Sequence, residues 1–195
     1  MKAKSVTSLA SREEQIEGVA LKLFIRHGFR KVRMGDIAEA CDLSRPSLYA
    51  VFPNKEAIFA AIVQRHTRAN LASTEKQLKA LKGVKARLEC IFEVWIIEGY
   101  VMAAASENAA ELSTCAPRFA PEATDLMWTA VESQIVETLR TDSKKQRDPA
   151  ITELAHVLAL AAKGTKAASN NLPELRRLIK GLIGMAFASL EKINS

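Results

Sequence analysis

The sequence predicts an all-α fold, because apolar residues recur at helical spacing along nearly the whole chain. No stretch alternates apolar and polar residues over the length of a strand, and the Asn-Gly and Asp-Gly pairs that form tight hairpin turns are absent. The 195 residues, 48% hydrophobic and 26% charged, have the composition of a globular protein of one or two domains.

The first helix is predicted to begin at Ser11. Ser11 and Glu14 have the spacing of a capping box, in which each side chain accepts a hydrogen bond from the other residue's backbone N–H. Gly28 is the expected end of this helix, because glycine readily adopts the left-handed conformation that ends helices. The residues between them form one apolar stripe, which consists of Ile16, Val19, Ala20, Leu23 and Phe24.

Two short helices joined by a tight turn are predicted next. The first, at about residues 34–41, ends at Asp42, a residue type that tolerates the conformation of a tight turn. Ser44 then caps the second, with Pro46 in its first turn, where the missing N–H of proline costs little. This pattern is typical of a helix-turn-helix, here over about residues 33–52.

The rest of the chain is predicted to form longer helices. Asn54 caps a fourth helix that runs into the region Arg65–Arg68 and joins two parts of the molecule. A polar break is expected at residues 142–149. Further helices are predicted at about residues 84–100, 106–112, 121–141, 150–168 and 173–193.

Positive charge is concentrated in the first third of the chain. The net charge is +6, and the residues up to Arg68 hold 12 Lys and Arg against 7 Asp and Glu. A basic segment joined to a nearly neutral body suggests a polyanionic partner at one end. On the charge alone, however, a solvated basic surface without a partner is the favoured interpretation.

Several classes of protein are excluded by composition and spacing. The N-terminal residues have no apolar core behind Lys2 and Lys4, and no apolar run reaches ~18 residues, so we expect a cytoplasmic protein without a secretory signal or membrane contact. Cys41, Cys90 and Cys115 are far apart and lack metal-ligand spacing. No nucleophile–base pair or phosphate loop is present, so we expect no catalytic residue, metal, cofactor or enzymatic activity.

The predicted second helix of the helix-turn-helix has a polar outer face. This face offers hydroxyl groups and one guanidinium, which suit phosphates and the edges of bases in a major groove. Its residues are Ser44, Arg45, Ser47 and Tyr49.

The N-terminal third resembles the TetR/AcrR-type transcriptional regulators. The resemblance covers about residues 10–70 without gaps and combines several short motifs. These are Arg12-Glu-Glu-Gln-Ile, Ala20-Leu-Lys-Leu-Phe24, Gly28-Phe29, Asp36-Ile-Ala-Glu-Ala40, Leu43-Ser-Arg-Pro-Ser-Leu-Tyr49 and Phe52-Pro-Asn-Lys-Glu56.

The resemblance implies a ligand-responsive homodimeric repressor that binds a palindromic double-stranded DNA operator. It implies a three-helix DNA-binding head at 10–70 and, at 71–195, a helical domain that binds a small-molecule inducer and dimerises. Within the head, Arg45, Pro46 and Ser47 are implied to enter the groove. Tyr49 and Lys55 are implied to clamp phosphates.

Three departures from the family pattern affect the head. Arg33 replaces the usual Thr or Ser helix cap and adds a cation that we include among the candidate DNA contacts. Asp42 replaces the usual turn glycine. Ala50 and Val51 replace an aromatic or histidine pair, which motivates the alternative of a helical small-molecule sensor that does not bind DNA.

The C-terminal body holds candidate pocket and dimer residues. Large apolar groups together with a few polar ones are typical of ligand pockets, although aromatic residues at helical spacing are more often simple core. The last two helices are apolar over wide faces and are predicted to pair with a second copy as a four-helix bundle. The candidate pocket residues are His66, Phe92, Trp95, Tyr100, Met102, Glu107, Met127 and Trp128.

Overall fold

The computed structural model describes residues 2–141, 143 and 148–194, with side chains described from residue 12 onward. Helices and their connections make up this part of the chain, which contains no strand, and the all-α prediction is confirmed. The helices are α1 Lys2–His27, α2 Met34–Ala40, α3 Arg45–Tyr49, α4 Lys55–Leu78, α5 Val84–Phe92, α6 Glu98–Ala104, α7 Glu107–Phe119, α8 Pro121–Thr141, α9 Pro149–Ala168 and α10 Leu172–Asn194. A π-helical turn, Glu93–Ile97, connects α5 to α6.

The helices form two compact units, and the boundary between the units falls within α4. The first unit, which we call the head, contains the chain up to His66 together with Ala103–Leu126. The second unit, the body, contains Thr67–Met102 and the chain from Met127 onward. Residues 103–126 thus pack with the N-terminal helices, whereas the predicted boundaries of the two functional domains, 10–70 and 71–195, stay a prediction.

The core of the head is aromatic at its centre. Phe29 is almost completely buried, and its ring centroid lies 4.9 Å from that of Phe24, 5.3 Å from that of Phe59 and 4.8 Å from that of Phe119. Ring pairs at such distances add to the free energy gained by burying apolar area. Because these four rings come from α1, the α1–α2 turn, α4 and α7, they join all the long segments of the head.

Local signals placed the turns of the head correctly. Gly28 ends α1 with φ +85°, and Asp42 adopts φ +54° in the turn between α2 and α3. The Ser44 hydroxyl accepts from the N–H of Ser47 at 3.2 Å, and the Asn54 side chain accepts from the N–H of Ala57 at 2.7 Å. Both predicted caps are therefore confirmed.

Several predicted helix ends are wrong. Helix α1 begins at Lys2, so Ser11 lies inside it, because no glycine or proline interrupts residues 2–10 and a capping-box spacing also occurs within helices. Helix α4 continues to Leu78, beyond the predicted end near Arg68, through residues that favour helix. The predicted helix 106–112 extends to Phe119.

The C-terminal helices begin and end close to the predicted positions. Helix α8 has the predicted bounds, and α9 and α10 begin within one residue of theirs. The single helix expected at 84–100 instead contains the π-helical turn, within which Trp95 Nε1 donates to Gln134 Oε1 at 2.8 Å. In the predicted break at 142–149, residues 142 and 144–147 lie outside the described residues.

The body has its own apolar core. The α5 residues Leu88 and Phe92 are completely buried, as are Ile135 on α8 and Ala155 on α9, and α10 adds Leu175. Among the described residues, no helix has the length and apolar character that crossing a membrane requires.

Replacing Leu48 with alanine is expected to destabilise the head by ~2–5 kcal/mol, because this completely buried side chain leaves a cavity when truncated. Urea denaturation followed by circular dichroism measures the change. The matched control is Leu126→Ala, which removes the same atoms from an exposed leucine and should change the unfolding free energy by less than ~0.5 kcal/mol. Equal effects of the two substitutions would contradict the assignment of Leu48 to the core.

Candidate nucleic-acid interface

Helix α2 begins at a cap made by Asp36. The backbone N–H of Arg33 donates to Asp36 Oδ2 at 2.7 Å, so the carboxylate at the third helical position satisfies a donor at the start of the helix. Arg33 stands in place of the usual Thr or Ser cap, and Asp36 was not predicted as its reciprocal partner. Because its backbone is anchored, the exposed Arg33 side chain extends from a fixed point.

Helix α3 is short, and its buried and exposed faces differ sharply. Leu48 points into the core of the head, whereas Arg45, Pro46 and Tyr49 are exposed, and 51% of the tyrosine surface is accessible. A half-exposed aromatic ring on a five-residue helix contributes little to folding. The α2–turn–α3 arrangement is thus a helix-turn-helix with its second helix facing outward.

The two candidate serines of α3 are engaged with one another. Their hydroxyl groups lie 2.8 Å apart, and the Ser44 hydroxyl also caps the helix. Both side chains lie at the start of α3, beside the exposed Arg45. Their predicted contacts with DNA stay a prediction.

The side chain of Arg45 lies against α2 in a space that Gly35 leaves open. A Cβ atom at Gly35 would lie 2.9 Å from Arg45 Nη2 and 3.3 Å from Arg45 Cζ, closer than real Cβ contacts allow. Any larger residue at position 35 therefore displaces the guanidinium. Gly35 is not among the predicted site residues, because nothing in a helical glycine signals that a residue of the next helix lies over it.

Lys55, at the start of α4, directs its ammonium at the α1–α2 turn. It donates to the carbonyl oxygens of Phe29 at 2.8 Å, Val32 at 3.0 Å and Arg30 at 3.2 Å. The same Nζ lies 4.7 Å from the centroid of the Phe29 ring, within the range of a cation–π interaction. The predicted contact of Lys55 with DNA phosphate stays a prediction at this point.

Helix α7 contacts the end of α1 and the α1–α2 turn from another side. The Asn108 side chain donates to the carbonyl of Ile25 at 3.0 Å, and Glu111 pairs with Arg30 at 3.3 Å. Both side chains lie close to Gly28, where an added Cβ would be 3.1 Å from Asn108 Oδ1. Neither residue was predicted to contribute to the head, since both follow the predicted DNA-binding domain by more than 35 positions.

A cavity of about 370 Å³ opens beside the α1–α2 turn. It has aromatic walls and a mostly cationic rim, and the Arg118 guanidinium lies 5.5 Å from the Phe119 ring centroid. Its lining residues are Phe29, Arg30, Lys55, Glu56, Arg118 and Phe119.

The eight predicted pocket residues fall in both units. His66 and Glu107 belong to the head and are exposed, and Met102, in the body, is also exposed. Phe92 and Trp95 are buried in the core of the body. The remaining three, Tyr100, Met127 and Trp128, are partly buried against that core, so six of the eight share one unit.

Lys166 and His156 are among the titratable groups of the body that have shifted pKa values. Burial lowers the pKa of Lys166, whose Nζ lies so close to Gly99 that an added Cβ there would be 2.8 Å away. A hydrogen bond to Glu132 Oε2 at 3.0 Å raises the pKa of His156, and the negative charge of Glu132 adds to this.

The body also has a surface cavity of about 250 Å³, which Arg176 and Glu93 border as a doubly hydrogen-bonded pair at 2.6 and 2.7 Å. None of the eight predicted pocket residues lines this cavity or the cavity of the head. In the described part of the chain, His, Cys, Asp and Glu form no group of three that could hold a metal ion.

Comparison with known proteins assigns the head to a family. Residues 18–62 match the family model described as bacterial regulatory proteins, tetR family. The HTH-type transcriptional repressor ComR of Escherichia coli (strain K12) is 41% identical over 59 residues, which cover 30% of this chain and 28% of ComR. The HTH-type transcriptional activator FasR of Mycolicibacterium smegmatis is 26% identical over 84 residues, 43% of this chain and 38% of FasR.

The fold of the whole chain has known counterparts too. The crystal structure of a TetR transcription regulator from Haloarcula marismortui superposes with a TM-score of 0.71 at 14% identity, and the match covers 92% of this chain and 98% of that one. The two curated relatives match over less than two fifths of their length. The head, over residues 18–62, is thus similar to the DNA-binding heads of TetR-type transcriptional regulators, and the chain as a whole has the fold of one such regulator.

Replacing Gly35 with alanine is expected to weaken binding to an operator selected by the wild-type protein about 5- to 30-fold, because the new Cβ displaces Arg45. Thermal stability should stay equal or rise, since alanine favours helix over glycine. Fluorescence anisotropy measures the affinity, and in an Arg45→Ala background the same substitution should have no further effect.

The matched control for this substitution is Gly18→Ala in α1, where nothing lies within 4 Å of the added Cβ. This variant should gain helix stability and keep its operator affinity. An unchanged affinity of Gly35→Ala would show that the position of Arg45 against α2 does not matter for binding.

Proposed function

We propose that the chain is a ligand-responsive homodimeric repressor that binds a palindromic operator through the major groove. The observation that supports this most directly is the outer face of α3, where Arg45 and Tyr49 are exposed while Leu48 between them is buried. The core of the head requires an apolar residue at Leu48, but it does not require an arginine or a tyrosine at the two exposed positions. A guanidinium and a phenol suit base edges and phosphates.

The proposed DNA contacts surround the start of α3. Arg45, Pro46 and Ser47 enter the groove, Ser44 fixes the start of the helix, and Tyr49 contacts the phosphate backbone. Arg33 adds a cation at the start of α2. The repressor assignment follows ComR, the relative whose aligned part is the more similar to this head.

We propose that the dimer forms through α9 and α10. Each helix buries one apolar face in the core of the body, which includes Ala155 and Ile183. Each also exposes large apolar side chains, a costly arrangement for a monomer. Val157 and Leu160 on α9 and Met185 and Phe187 on α10 are between 42% and 61% exposed. An isologous pair of these faces forms a four-helix bundle.

We propose that an inducer binds the body near Tyr100, Met127 and Trp128, which are partly buried against its core. Because α4 contributes residues to both units, a ligand that favours one arrangement of the dimer changes operator affinity by linkage. In the free dimer, two heads about one DNA turn apart, ~34 Å, bind successive major grooves.

The test of DNA binding compares Arg45→Ala and Tyr49→Ala with the wild type on an operator selected from random duplexes. Each substitution removes one proposed contact and should weaken binding about 5- to 150-fold. Wild-type affinity should fall steeply with salt, because bound phosphates release counterions. Affinity is measured by fluorescence anisotropy at several salt concentrations.

The control for lost charge is Lys76→Ala, which removes an exposed cation from the body half of α4. It should leave operator affinity within about twofold of the wild type, because surface charges act over about one Debye length, ~10 Å. If Arg45→Ala and Tyr49→Ala also bind like the wild type, α3 does not make the proposed contacts. If the wild type selects no duplex at all, the helical sensor without DNA binding, which the unusual Ala50 and Val51 favour, becomes the better interpretation.

The test of the dimer is Leu160→Glu. In a twofold-symmetric interface the substitution places two carboxylates in an apolar contact, and we expect dimer dissociation to become at least about 100-fold more favourable. Sedimentation velocity over a range of protein concentrations measures it. The matched control, Leu126→Glu, alters an equally exposed leucine of the head. A dimer that resists Leu160→Glu would exclude this face of α9 as the interface.

A further inference from the structure

We infer that Lys55 is a positioning residue, which holds the α1–α2 turn of the head in place and does not itself bind a DNA phosphate. The inference rests on the proposed DNA-binding function, because it changes the role of one residue within that site. Its support comes from the contacts of the ammonium, from the turn that the ammonium holds and from the cations that this turn presents.

All three donors of the Lys55 ammonium are used inside the protein. An ammonium carries three N–H groups, and the carbonyls of Phe29, Val32 and Arg30 accept at 2.8, 3.0 and 3.2 Å. These carbonyls belong to a non-helical turn, and no other hydrogen bond described for the chain uses them. To reach a phosphate, the lysine would have to give up hydrogen bonds to three carbonyl groups, those of Phe29 and Val32 in part-buried positions.

The aromatic core fixes the ammonium further. Nζ lies 4.7 Å from the ring centroid of Phe29, which Phe59 and Phe119 hold from the other sides. The Lys55 side chain is partly buried, so its charge is compensated by carbonyl dipoles and a ring face in place of water. A solvent-facing phosphate clamp needs neither kind of partner.

The turn that Lys55 holds carries the other cations of this region. Arg30 and Lys31 are exposed within it, and Arg33 ends it and precedes α2. Because the turn lacks the regular backbone hydrogen bonds of a helix, the carbonyl contacts of Lys55 restrict where these cations and the start of α2 lie. Lys55 therefore influences DNA binding through its neighbours.

Hydrogen exchange tests the positioning role without DNA. In Lys55→Met the side chain keeps its length and loses its ammonium, and we expect the amides of Val32 and Arg33 to exchange at least about tenfold faster. The amides of the body should exchange as in the wild type. Unchanged exchange in the turn would overturn the inference, whatever the effect on DNA binding.

The salt dependence of binding to a random-sequence duplex tests the absence of a phosphate contact. Loss of one phosphate contact reduces the slope of log K against log [salt] by about 0.9. We expect Lys55→Met to keep the wild-type slope while binding more weakly at every salt concentration. A slope reduced by about 0.9 while the amides of Val32 and Arg33 exchange as in the wild type would show that Lys55 itself binds phosphate and would overturn the inference.

Lys55→Arg separates charge from geometry and serves where Lys55→Met does not fold. Arginine binds phosphate well, but its planar fork cannot direct three donors at carbonyls that converge on one point. We therefore expect faster exchange in the turn and weaker DNA binding for this variant also. Full restoration of both by arginine would contradict the inference.

Failure of the proposed function has a different signature. If the wild-type protein shows no salt-dependent binding to any duplex, DNA binding itself is refuted. The exchange of Val32 and Arg33 in Lys55→Met then still decides whether the lysine holds the turn.

Discussion

The head depends on the packing of Phe29, which lies in the α1–α2 turn and contacts rings from three other segments. Burying this ring brings the backbone of the turn close to the start of α4, where Lys55 binds three of its carbonyls. Apolar burial thus places the turn, and one partly buried charge binds three of its carbonyl groups. The exposed cations Arg30 and Arg33 extend from a backbone held by both.

Helix α3 depends on the same two kinds of interaction, apolar burial and hydrogen bonds to its polar backbone groups. A five-residue helix is far too short to be stable by itself, so its existence depends on the burial of Leu48 and on the cap from Ser44. The two residues that stabilise the helix are Leu48, which points into the core, and Ser44, which caps its first turn. Arg45 and Tyr49 are exposed and contribute little to the core. They are therefore available for the proposed contacts with DNA, and we expect that substitutions there preserve the fold.

Local signals were sufficient for the turns and failed at the helix ends. Gly28 and Asp42 were identified because left-handed backbone favours particular residue types at one position. Ser11 was mistaken for a helix start, because its capping pattern is compatible with a helix interior. The end of α4 was also misplaced, because the helix continues past Arg68 through residues that favour helix, with no glycine or proline before Leu78 to end it.

The sequence by itself determined the all-α class, the helix-turn-helix and the exposed face of α3, because periodicity and caps are properties of neighbouring residues. Only the tertiary structure decided the partners of Lys55, whose carbonyls lie 23 to 26 positions earlier in the chain. It also decided that Gly35 accommodates Arg45 and that Asn108 belongs to the head. Such contacts depend on how separate helices pack, and no local pattern encodes that packing.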